Sequence, residues 1–168
     1  MLSDHRKKSA GRVTCKVITV SDTRTVETDK SGKKIIELLK ENEHEVKSYE
    51  IAADEKLLIQ RAVQSGIQDP EIDAILLNGG TGFSKRDVTI ESVTPLLEKE
   101  LIGFGEIFRY LSYAEDIGSA AILSRAVAGT VKETVIFAMP GSTGAVKLAM
   151  NKLILLEIGH IVMEINKQ

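Results

Sequence analysis

Short runs of apolar, β-branched residues alternate along the chain with stretches in which apolar residues recur at helical spacing. Strands are predicted for the runs Cys15–Val20, Glu45–Ile51, Ala74–Asn78 and Thr134–Met139, with Ala126–Val131 as a partner of the last. Strands that alternate with helices are typical of a mostly parallel sheet covered by helices on both faces. The pattern therefore predicts an α/β fold.

The helical stretches lie between these runs, and several carry residues that start or stop a helix. Asp29 and Gly32 precede the first stretch, while Asp54 precedes the second, which Gly66 is expected to cap at its end. Pro95 is expected to bend the third. The predicted helices are Lys33–Lys40, residues 54–66, Ile90–Lys99, Phe104–Tyr113 and a stretch that starts at Ser142 or Thr143.

Neither end of the chain has the pattern of a targeting or membrane segment. Residues 1–12 form a polar, basic tail that no apolar stretch follows, unlike a signal peptide. The apolar stretch Ala145–Ile165 is interrupted by lysines and glutamates, which favours one or two amphipathic helices over a membrane span. We therefore expect no membrane partner.

The composition limits the number of domains and the class of partner. A chain of 168 residues fits one domain, here residues 13–168 after the tail. The net charge of −2 argues against a nucleic-acid partner but allows a local anion site built from backbone N–H groups. A single cysteine, Cys15, excludes an internal disulfide and a Cys-based zinc cluster. We expect it to be buried, in a protein of the reducing cytoplasm.

The turns that follow the predicted strands are expected to meet at one edge of the sheet, where such folds bind ligands. The most specific of them is Gly79–Gly82, whose glycines allow close backbone approach and whose N–H groups can surround an anion. The alternative is a tight strand-to-helix turn without a ligand. The turn is not a dinucleotide fingerprint, because Lys85 stands where the third glycine belongs, and the chain has no Gly-Lys-Ser/Thr triplet of a P-loop.

Two aspartates near these turns are candidates for holding magnesium. Asp87 could bind the ion together with substrate phosphates, with Lys85 or Arg86 pairing with phosphate. Alternatively, Asp87 pairs with Arg86 or another neighbour or helps to cap the helix that starts near Thr89, and Asp54 is a helix N-cap. Two such carboxylates at neighbouring strand ends would make a metal-assisted phosphoryl-transfer site.

The remaining polar candidates have a structural alternative each. Ser142 and Thr143 could offer phosphate contacts at a helix start, or could cap that helix. Arg125 could lend a cation, or could be a surface or interface residue. His5, His44 and His160 share no ligand spacing, and the chain has no G-x-S-x-G elbow, so neither a metal cluster nor a hydrolase triad is expected.

Four motifs in a fixed order resemble those of a known family. They are Thr19–Thr23 (TVSDT), Gly79–Asp87 (GGTGFSKRD), Leu123–Gly129 (LSRAVAG) and Met139–Ser142 (MPGS). From about Val13 to its end, the chain resembles the molybdopterin-binding (MogA/MoaB) family of molybdenum cofactor biosynthesis proteins. The resemblance implies a three-layer α/β/α fold, assembly into trimers or dimers of trimers, and other molybdenum cofactor biosynthesis proteins as partners. It also implies transfer of AMP from Mg-ATP to molybdopterin, with release of pyrophosphate.

The resemblance assigns roles to individual residues. Asp87 and Asp54 match two catalytic positions of the family and are the residues that would hold Mg²⁺. The positions that match the substrate and nucleotide pocket are Ser21, Asp22, Thr23, Gly79, Gly80, Thr81, Gly82, Arg86, Ser124, Pro140, Gly141, Ser142 and Thr143.

Three functions remain open at this point. The first is a molybdopterin adenylyltransferase that uses Asp54 and Asp87. The second is a molybdopterin or nucleotide carrier without catalysis, because this chain has Pro-Gly-Ser-Thr where many of the family's adenylyltransferases have Pro-Gly-Asn-Pro. The third is an oligomeric interaction protein, because the apolar helix Phe104–Tyr113 could pack subunits together.

Overall fold

The computed structural model describes residues 11–167, so most of the predicted tail, together with His5, lies outside the described residues. The described strands form one six-stranded sheet in the order β2-β1-β3-β6-β5-β4. Their bounds are Thr14–Val20 (β1), Glu45–Ala52 (β2), Ala74–Asn78 (β3), Lys99–Glu100 (β4), Val127–Val131 (β5) and Thr134–Met139 (β6).

The sheet is mostly parallel, as the alternating pattern predicts. Strands β2, β1, β3 and β6 pair in parallel, whereas β5 pairs antiparallel with both β6 and β4. The central strand β3 is buried at all five positions, because helices cover both of its faces. The parallel arrangement brings the carboxyl ends of four strands to one edge of the sheet.

Four helices and a π-helical turn cover one face. The helices are α1 (Lys30–Glu41), α4 (Ile102–Ser112), α5 (Thr143–Ala149) and α6 (Leu155–Ile165), with the π-helical turn Met150–Ile154 joining the last two. Their apolar side chains pack against β1, β3 and β6 in a cluster that includes Ile35, Phe108, Met150 and Ile158. The prediction of one or two C-terminal helices is therefore confirmed, and none of the described helices is both long and apolar enough to cross a membrane.

Two further helices cover the opposite face. They are α2 (Lys56–Gln68) and α3 (Thr89–Val93), and they contribute Ile59, Val63 and Val93 to a second core with Ile75 and Ile136 of the sheet. Cys15 is fully buried on the first face, as predicted, and burial raises the pKa of its thiol. The two cores on either side of one sheet give the three layers implied by the family resemblance.

Three local predictions are wrong. Gly66 does not end α2, because it lies inside that helix against the side chain of Ile75, and the chain leaves the helix only at Asp69. Asp54 is not an N-cap, because the helix starts two residues later and Glu55 occupies the cap position. The segment Ile90–Lys99 is not one bent helix. A 3₁₀ turn containing Pro95 follows α3, and Lys99 belongs to the edge strand β4.

The helix α4 has two distinct faces. Phe104 and Phe108 point into the core, where Phe104 also packs edge-on against Phe137 with ring centroids 5.3 Å apart. The exposed apolar residues are instead Ile102, Ile107 and Tyr110. The predicted apolar surface therefore exists, but Phe104 and Phe108 are not part of it.

Candidate functional site

A cleft of about 370 Å³ lies at the carboxyl edge of the parallel strands. The turns after β1, β2, β3 and β6 all contribute to it, as expected for the open edge of such a sheet. Its lining consists of Val20, Ser21, Thr23, Arg24, Asp54, Gly79, Gly80, Thr81, Gly82, Asp87, Leu123, Ser124, Pro140 and Gly141.

The glycine turn requires glycine at its first two positions. Gly79 and Gly80 have φ values of 95° and 64°, a region that other residues enter only with strain. Thr89 holds the turn from the far side, because its hydroxyl donates to the Gly79 carbonyl at 2.8 Å and its N–H donates to the Gly80 carbonyl at 2.9 Å. The turn is thereby fixed close to the cleft with little bulk between its backbone and a ligand.

The turns after β1 and β2 are joined by a reciprocal pair of hydrogen bonds. The Asp22 N–H donates to Oδ2 of Asp54, and the Asp54 N–H donates to Oδ1 of Asp22, both at 3.0 Å. Arg86 forms an ion pair with Asp22 on its outer side. The Asp54 N–H and the Arg86 guanidinium together lower the pKa of Asp22. Asp22 therefore holds Asp54 in place and does not itself line the cleft.

The Asp54 carboxyl is in the least favourable electrostatic position of the site. Partial burial, and then the neighbouring charges of Asp22 and Asp87, raise its pKa, while the N–H of Asp22 opposes them. A Cβ on Gly80 would lie 2.9 Å from its Oδ1, so the carboxylate lies directly against the glycine turn. A positive charge bound in the cleft would relieve this repulsion.

Asp87 faces the other end of the same turn. Its Oδ2 accepts hydrogen bonds from the N–H and the hydroxyl of Ser84, at 3.0 and 2.7 Å, and lies 2.7 Å from where a Cβ on Gly82 would be. Asp87 therefore neither pairs with Arg86 nor caps α3, whose N-cap is Val88. It pairs instead with another neighbour, Ser84, which is one of the structural alternatives left open by the sequence, and it still lines the cleft.

Arg125 is a structural support of the glycine turn. Its guanidinium donates to the carbonyls of Thr81 and Gly82, at 3.0 and 2.8 Å, pairs with Glu91, and lies 5.7 Å from the centre of the Phe83 ring. Ser124, the residue before it, lines the cleft. Arg125 thus acts on the site through the backbone it holds.

The turn after β6 is divided between the cleft and the next helix. Pro140 and Gly141 line the cleft, whereas Ser142 caps α5 by accepting a hydrogen bond from the Ala145 N–H at 3.2 Å. Thr143 is the first residue of that helix and is exposed. The capping alternative therefore describes Ser142, and the structure places neither Ser142 nor Thr143 in the lining of the cleft.

A buried polar network lies beneath the cleft, centred on Asp29. This fully buried residue caps α1 through the Gly32 N–H at 3.0 Å and accepts a hydrogen bond from the Thr19 hydroxyl at 2.6 Å. Burial alone would raise its pKa, but the hydroxyls of Thr19 and Tyr49 hold that pKa below its usual value. Burial, and then the hydrogen bond that the Tyr49 hydroxyl donates to Asp29, raise the pKa of Tyr49 to about 12.

Arg24 connects this network to the cleft. Its Nη1 donates to the Ser31 hydroxyl at 2.5 Å and lies 3.6 Å from Oδ1 of Asp29, while its Nη2 donates to the Gly141 carbonyl at 3.0 Å. Arg24 was not among the predicted site residues. Asp29 was predicted only as a helix start, and an Asp-x-Ser-Gly segment gives no signal that its carboxylate reaches under another loop.

The carboxylates fit a divalent cation that arrives with its own ligands. Among residues 11–167 there is no group of three or more His, Cys, Asp or Glu side chains able to hold a metal. Asp54 and Asp87 nevertheless offer hard oxygen donors to one cleft, and Mg²⁺ is commonly bound by one or two carboxylates plus substrate phosphates. The residues present therefore fit Mg²⁺ accompanied by a phosphate ligand.

Most of the residues predicted for the site meet in this cleft, and a few do not. Asp22 and Arg86 form the brace beside it, and Ser142 and Thr143 begin α5. The two described histidines lie elsewhere. His44 accepts a hydrogen bond from the Val13 N–H, and His160 lies between Glu157 and Glu164. Both histidines are outside the cleft, as their scattered spacing suggests.

Comparison with known proteins gives a consistent result. Residues 16–160 match the model of a family described as a probable molybdopterin binding domain. The molybdenum cofactor biosynthesis protein B of Bacillus subtilis (strain 168) is 61% identical over 166 residues, which cover 99% of this chain and 98% of the relative. A crystal structure of a molybdenum cofactor biosynthesis protein B is 60% identical and superposes with a TM-score of 0.93, covering 95% of this chain and 99% of the other. The tungsten cofactor synthesizing protein MoaB of Pyrococcus furiosus is 40% identical, with a TM-score of 0.83 over 93% of this chain and 98% of its own.

Proposed function

This chain belongs to the MogA/MoaB family of molybdopterin-binding proteins, and from that premise we propose that it acts in molybdenum cofactor biosynthesis as a molybdopterin adenylyltransferase. The proposed reaction transfers AMP from Mg-ATP to the terminal phosphate of molybdopterin. The observation that carries the proposal is the placement of Asp54 and Asp87 beside the backbone of one glycine turn in a single cleft.

The reaction needs positioning and charge stabilisation more than proton transfer. An oxygen of the acceptor phosphate attacks the α-phosphorus of ATP, the bond between that phosphorus and the bridging oxygen breaks, and pyrophosphate leaves with the bonding electrons. A phosphate monoester is largely ionised at neutral pH, since its second pKa is about 6, so the attacking oxygen requires no general base. The protein's task is then to hold two phosphate groups in line.

The residues of the cleft suit that task. The glycine turn approaches a ligand closely, and its N–H groups at residues 80–82 offer partial positive charge without side-chain bulk, whereas the Gly79 N–H already donates to the Met139 carbonyl. Asp54 and Asp87 would hold Mg²⁺, which neutralises charge on the phosphates and orients them when it is bound. Asp22 positions Asp54 through the two 3.0 Å hydrogen bonds, and Thr89 and Arg125 keep the glycine turn in place.

Pyrophosphate release tests the proposal. The parent protein is incubated with Mg-ATP, with and without molybdopterin, beside the variants Asp54→Asn and Asp87→Asn. We expect release that depends on molybdopterin in the parent and falls by about 100-fold or more in both variants, because each loses a charge that no other carboxylate of the cleft replaces.

Asp69→Asn is a matched control. Asp69 follows α2, at the end of the helix remote from the cleft, and its carboxylate pairs with Lys47 on the surface. A helix of 13 residues is about 20 Å long, so this charge change lies far from the reacting atoms. Release that is unchanged in both cleft variants would contradict the proposed roles, and an equal loss in Asp69→Asn would assign the effect to the fold.

A carrier without catalysis is the second candidate, and one observation favours it. Oδ2 of Asp87 already accepts two hydrogen bonds from Ser84, so this residue has a sufficient structural role in closing its turn. A carrier would bind molybdopterin with unchanged affinity in Asp87→Asn and would form no adenylylated product. Equilibrium dialysis of the pterin beside the release assay distinguishes the two functions.

We further propose that the protein forms a homo-oligomer, a trimer or a hexamer. Ile102, Ile107 and Leu156 are exposed around a mainly apolar cleft of about 650 Å³ between α4 and α6. Ile107→Asp should lower the mass measured by sedimentation equilibrium while leaving the fold intact. Phe108→Asp is unsuitable for this test, because Phe108 is fully buried and a charge there would unfold the protein.

The proposed reaction also leads to a proposed cellular location and to proposed partner proteins. We propose a cytoplasmic location, where ATP is plentiful and the thiol of Cys15 remains reduced. Other molybdenum cofactor biosynthesis proteins are the proposed partners, because an adenylylated pterin must pass to the protein that uses it. Cell fractionation and co-purification from cells making the cofactor test both statements.

A further inference from the structure

We propose that Arg24 binds a phosphate group of the substrate at the Gly79 and Gly141 end of the cleft. The proposal rests on the proposed function for the class of substrate, a phosphorylated one, but not on the chemical step. It assigns a binding role to a residue outside the family motifs on which the adenylyltransferase proposal depends.

Arg24 is held in the cleft by partners that the fold fixes. Oδ1 of Asp29 lies 3.6 Å from Nη1 and is fully buried, and the Ser31 hydroxyl accepts from the same nitrogen at 2.5 Å. Ser31 in turn donates to Oδ1 of the buried Asn78 at 2.9 Å. Because these partners belong to α1 and β3, the guanidinium is oriented before a ligand arrives.

The anchoring leaves part of the guanidinium for a ligand. About a third of the Arg24 side chain, 33%, remains exposed, and Arg24 is one of the residues that line the cleft. Guanidinium has five N–H donors in a planar fork, and its contacts with Asp29, Ser31 and Gly141 engage two of its three nitrogens. A planar fork with remaining donors is the geometry that matches a phosphate.

The charges in the cleft are separated along the glycine turn. Gly79 adjoins Gly141, whose Cβ position would be 3.0 Å from the Gly79 Cα and 3.5 Å from Nη1 of Arg24. The Asp54 and Asp87 carboxylates instead adjoin Gly80 and Gly82. One end of the turn therefore has a cation and the other has carboxylates. A ligand with one phosphate free of metal and another bound to Mg²⁺ would fit this polarity.

Two other arginines lie near the cleft, and both are paired with groups outside it or with the backbone of the glycine turn. Arg86 pairs with Asp22 outside the lining, and Arg125 is bound to the backbone of the glycine turn and to Glu91. Within residues 11–167, Arg24 is the one lysine or arginine that lines the cleft. If a phosphate is bound there by a side-chain charge, that charge comes from Arg24.

Binding of inorganic pyrophosphate in the presence of EDTA tests this proposal without ATP, metal or turnover. Calorimetry with the full-length protein compares the parent with Arg24→Gln and Arg24→Lys. We expect Arg24→Gln to bind pyrophosphate at least about tenfold more weakly, since hydrogen bonds between two charged groups are about twice as strong as neutral ones. Arg24→Lys should lie between the two, because it keeps a charge and loses the fork.

Arg12→Gln is the matched control for the lost charge. Arg12 precedes the amino end of β1, at the edge of the sheet opposite the cleft, where it pairs with Glu45. Its replacement should change pyrophosphate affinity by less than about twofold, because exposed charges that far apart are largely screened at physiological salt. An equal loss in Arg12→Gln and Arg24→Gln would overturn the proposal.

A direct measurement on the parent protein covers the case in which Arg24→Gln does not fold. Pyrophosphate added to the isotope-labelled parent should shift the guanidinium nitrogen resonances of Arg24, which a purely structural residue would not show. Unshifted Arg24 resonances at saturating pyrophosphate would overturn the proposal, as would a parent that does not bind pyrophosphate at millimolar concentration. Neither result depends on whether the protein adenylylates molybdopterin.

A second set of titrations identifies the source of the phosphate. Both proteins are titrated with inorganic phosphate and, separately, with Mg-ATP. A loss for inorganic phosphate alone in Arg24→Gln would assign Arg24 to the phosphate of the acceptor, and a loss for both ligands would assign it to the nucleotide. Unchanged affinity for both would overturn the proposal.

Discussion

Replacement of Gly79 by alanine should destabilise this protein more than replacement of any glycine that has free space around it. The φ of Gly79 is 95°, and a Cβ there would lie 2.3 Å from the carbonyl oxygen of Val20. That oxygen belongs to the end of β1, so it cannot move aside as a flexible side chain could. The substitution therefore adds a backbone strain and a contact that only a shift of the sheet can relieve.

Two other glycines are controls that distinguish the cost of the backbone strain from the cost of the contact with Val20. Gly118 also has a positive φ, 61°, but nothing lies within 4 Å of its Cβ position. Gly103 lies in the first turn of α4 with open space around it and an ordinary φ. We expect losses of about 3–5 kcal/mol for Gly79→Ala, as strain of about 1–3 kcal/mol adds to overpacking of similar size. Gly118→Ala should lose about 1–3 kcal/mol, which is the cost of the backbone strain alone at its φ of 61° and ψ of −138°, and Gly103→Ala should gain up to about 1 kcal/mol.

Urea unfolding of the three variants, followed by circular dichroism, measures these differences. All proteins are compared at one concentration, because the stability of an oligomer depends on it. The slope of the unfolding free energy against urea should stay constant, so that midpoints alone report the change. A Gly79→Ala protein within 1 kcal/mol of Gly118→Ala would refute the reasoning, because the Val20 contact would then have no cost.

Three further predictions concern charged residues of the site. Asp29→Asn should lower the free energy of unfolding by about 3 kcal/mol at pH 7. Because the pKa of Asp29 is lower in the folded than in the unfolded state, its ionisation stabilises the fold at a pH above the unfolded-state pKa, and this contribution is lost on acidification. The difference between the urea midpoints of parent and variant should therefore shrink below about pH 4. Asp54→Asn should instead raise the urea midpoint slightly at pH 7 and not at pH 3. The pKa of Asp54 is raised in the fold, so ionisation of this carboxyl destabilises the folded state. A lower urea midpoint for the variant at pH 7 would contradict this. Arg125→Lys, which can keep the pair with Glu91 but cannot bind two carbonyls at once, should lose about 2 kcal/mol. It should also speed hydrogen exchange of the Thr89 amide, which donates to the Gly80 carbonyl of the same turn, and unchanged exchange would show that Arg125 does not hold the turn.

The sheet and most of the cleft could be predicted from the sequence because both depend on local patterns. The run Ala74–Asn78 is fully buried because its first four residues are apolar and the amide of Asn78 is hydrogen-bonded to the Thr19 hydroxyl, and its bounds are those of the observed strand. The rule that ligand sites lie at the carboxyl ends of parallel strands then brings the turns after β1, β3 and β6 together. Neither step needs knowledge of which side chains touch.

The predictions that failed concern places where tertiary contacts override local preference. Gly66 has the sequence position of a helix end but lies inside α2, where the side chain of Ile75 packs against it. The segment after Ile90 has helical spacing, yet the pairing of Lys99 with Thr130 pulls it into an edge strand. Helical spacing alone also could not show that Phe108 faces the core.

Arg24 was missed for a related reason, since its role depends on partners that are distant along the chain or hidden beneath the cleft. Gly141, to which it donates, lies 117 positions away. Asp29 and Ser31 are close in sequence, but their side chains point under the sheet edge, which no spacing rule conveys. Long-range polar contacts of this kind carry no periodic signal.

The loops of the cleft are fixed to the interior of the fold before any ligand binds. Gly79 is held by Thr89, Gly82 by Arg125 and Gly141 by Arg24, and no buried side-chain nitrogen or oxygen of residues 11–167 lacks a hydrogen-bond partner. A ligand therefore binds with little cost in loop ordering, which leaves its interaction energy available for orienting the reacting groups.

Asp54 differs from these hydrogen-bonded groups, because its charge is unfavourable in the folded protein. Its ionised form is disfavoured by partial burial and by two neighbouring carboxylates, and the protein keeps it in place through the Asp22 brace. A carboxylate held where its charge is unfavourable binds a cation more strongly than a well-solvated one, because binding also relieves the repulsion. Mg²⁺ should therefore raise the unfolding midpoint of the parent at pH 7 and raise it less in Asp54→Asn. An equal rise in both proteins would show that the destabilising charge at Asp54 has no part in holding a cation.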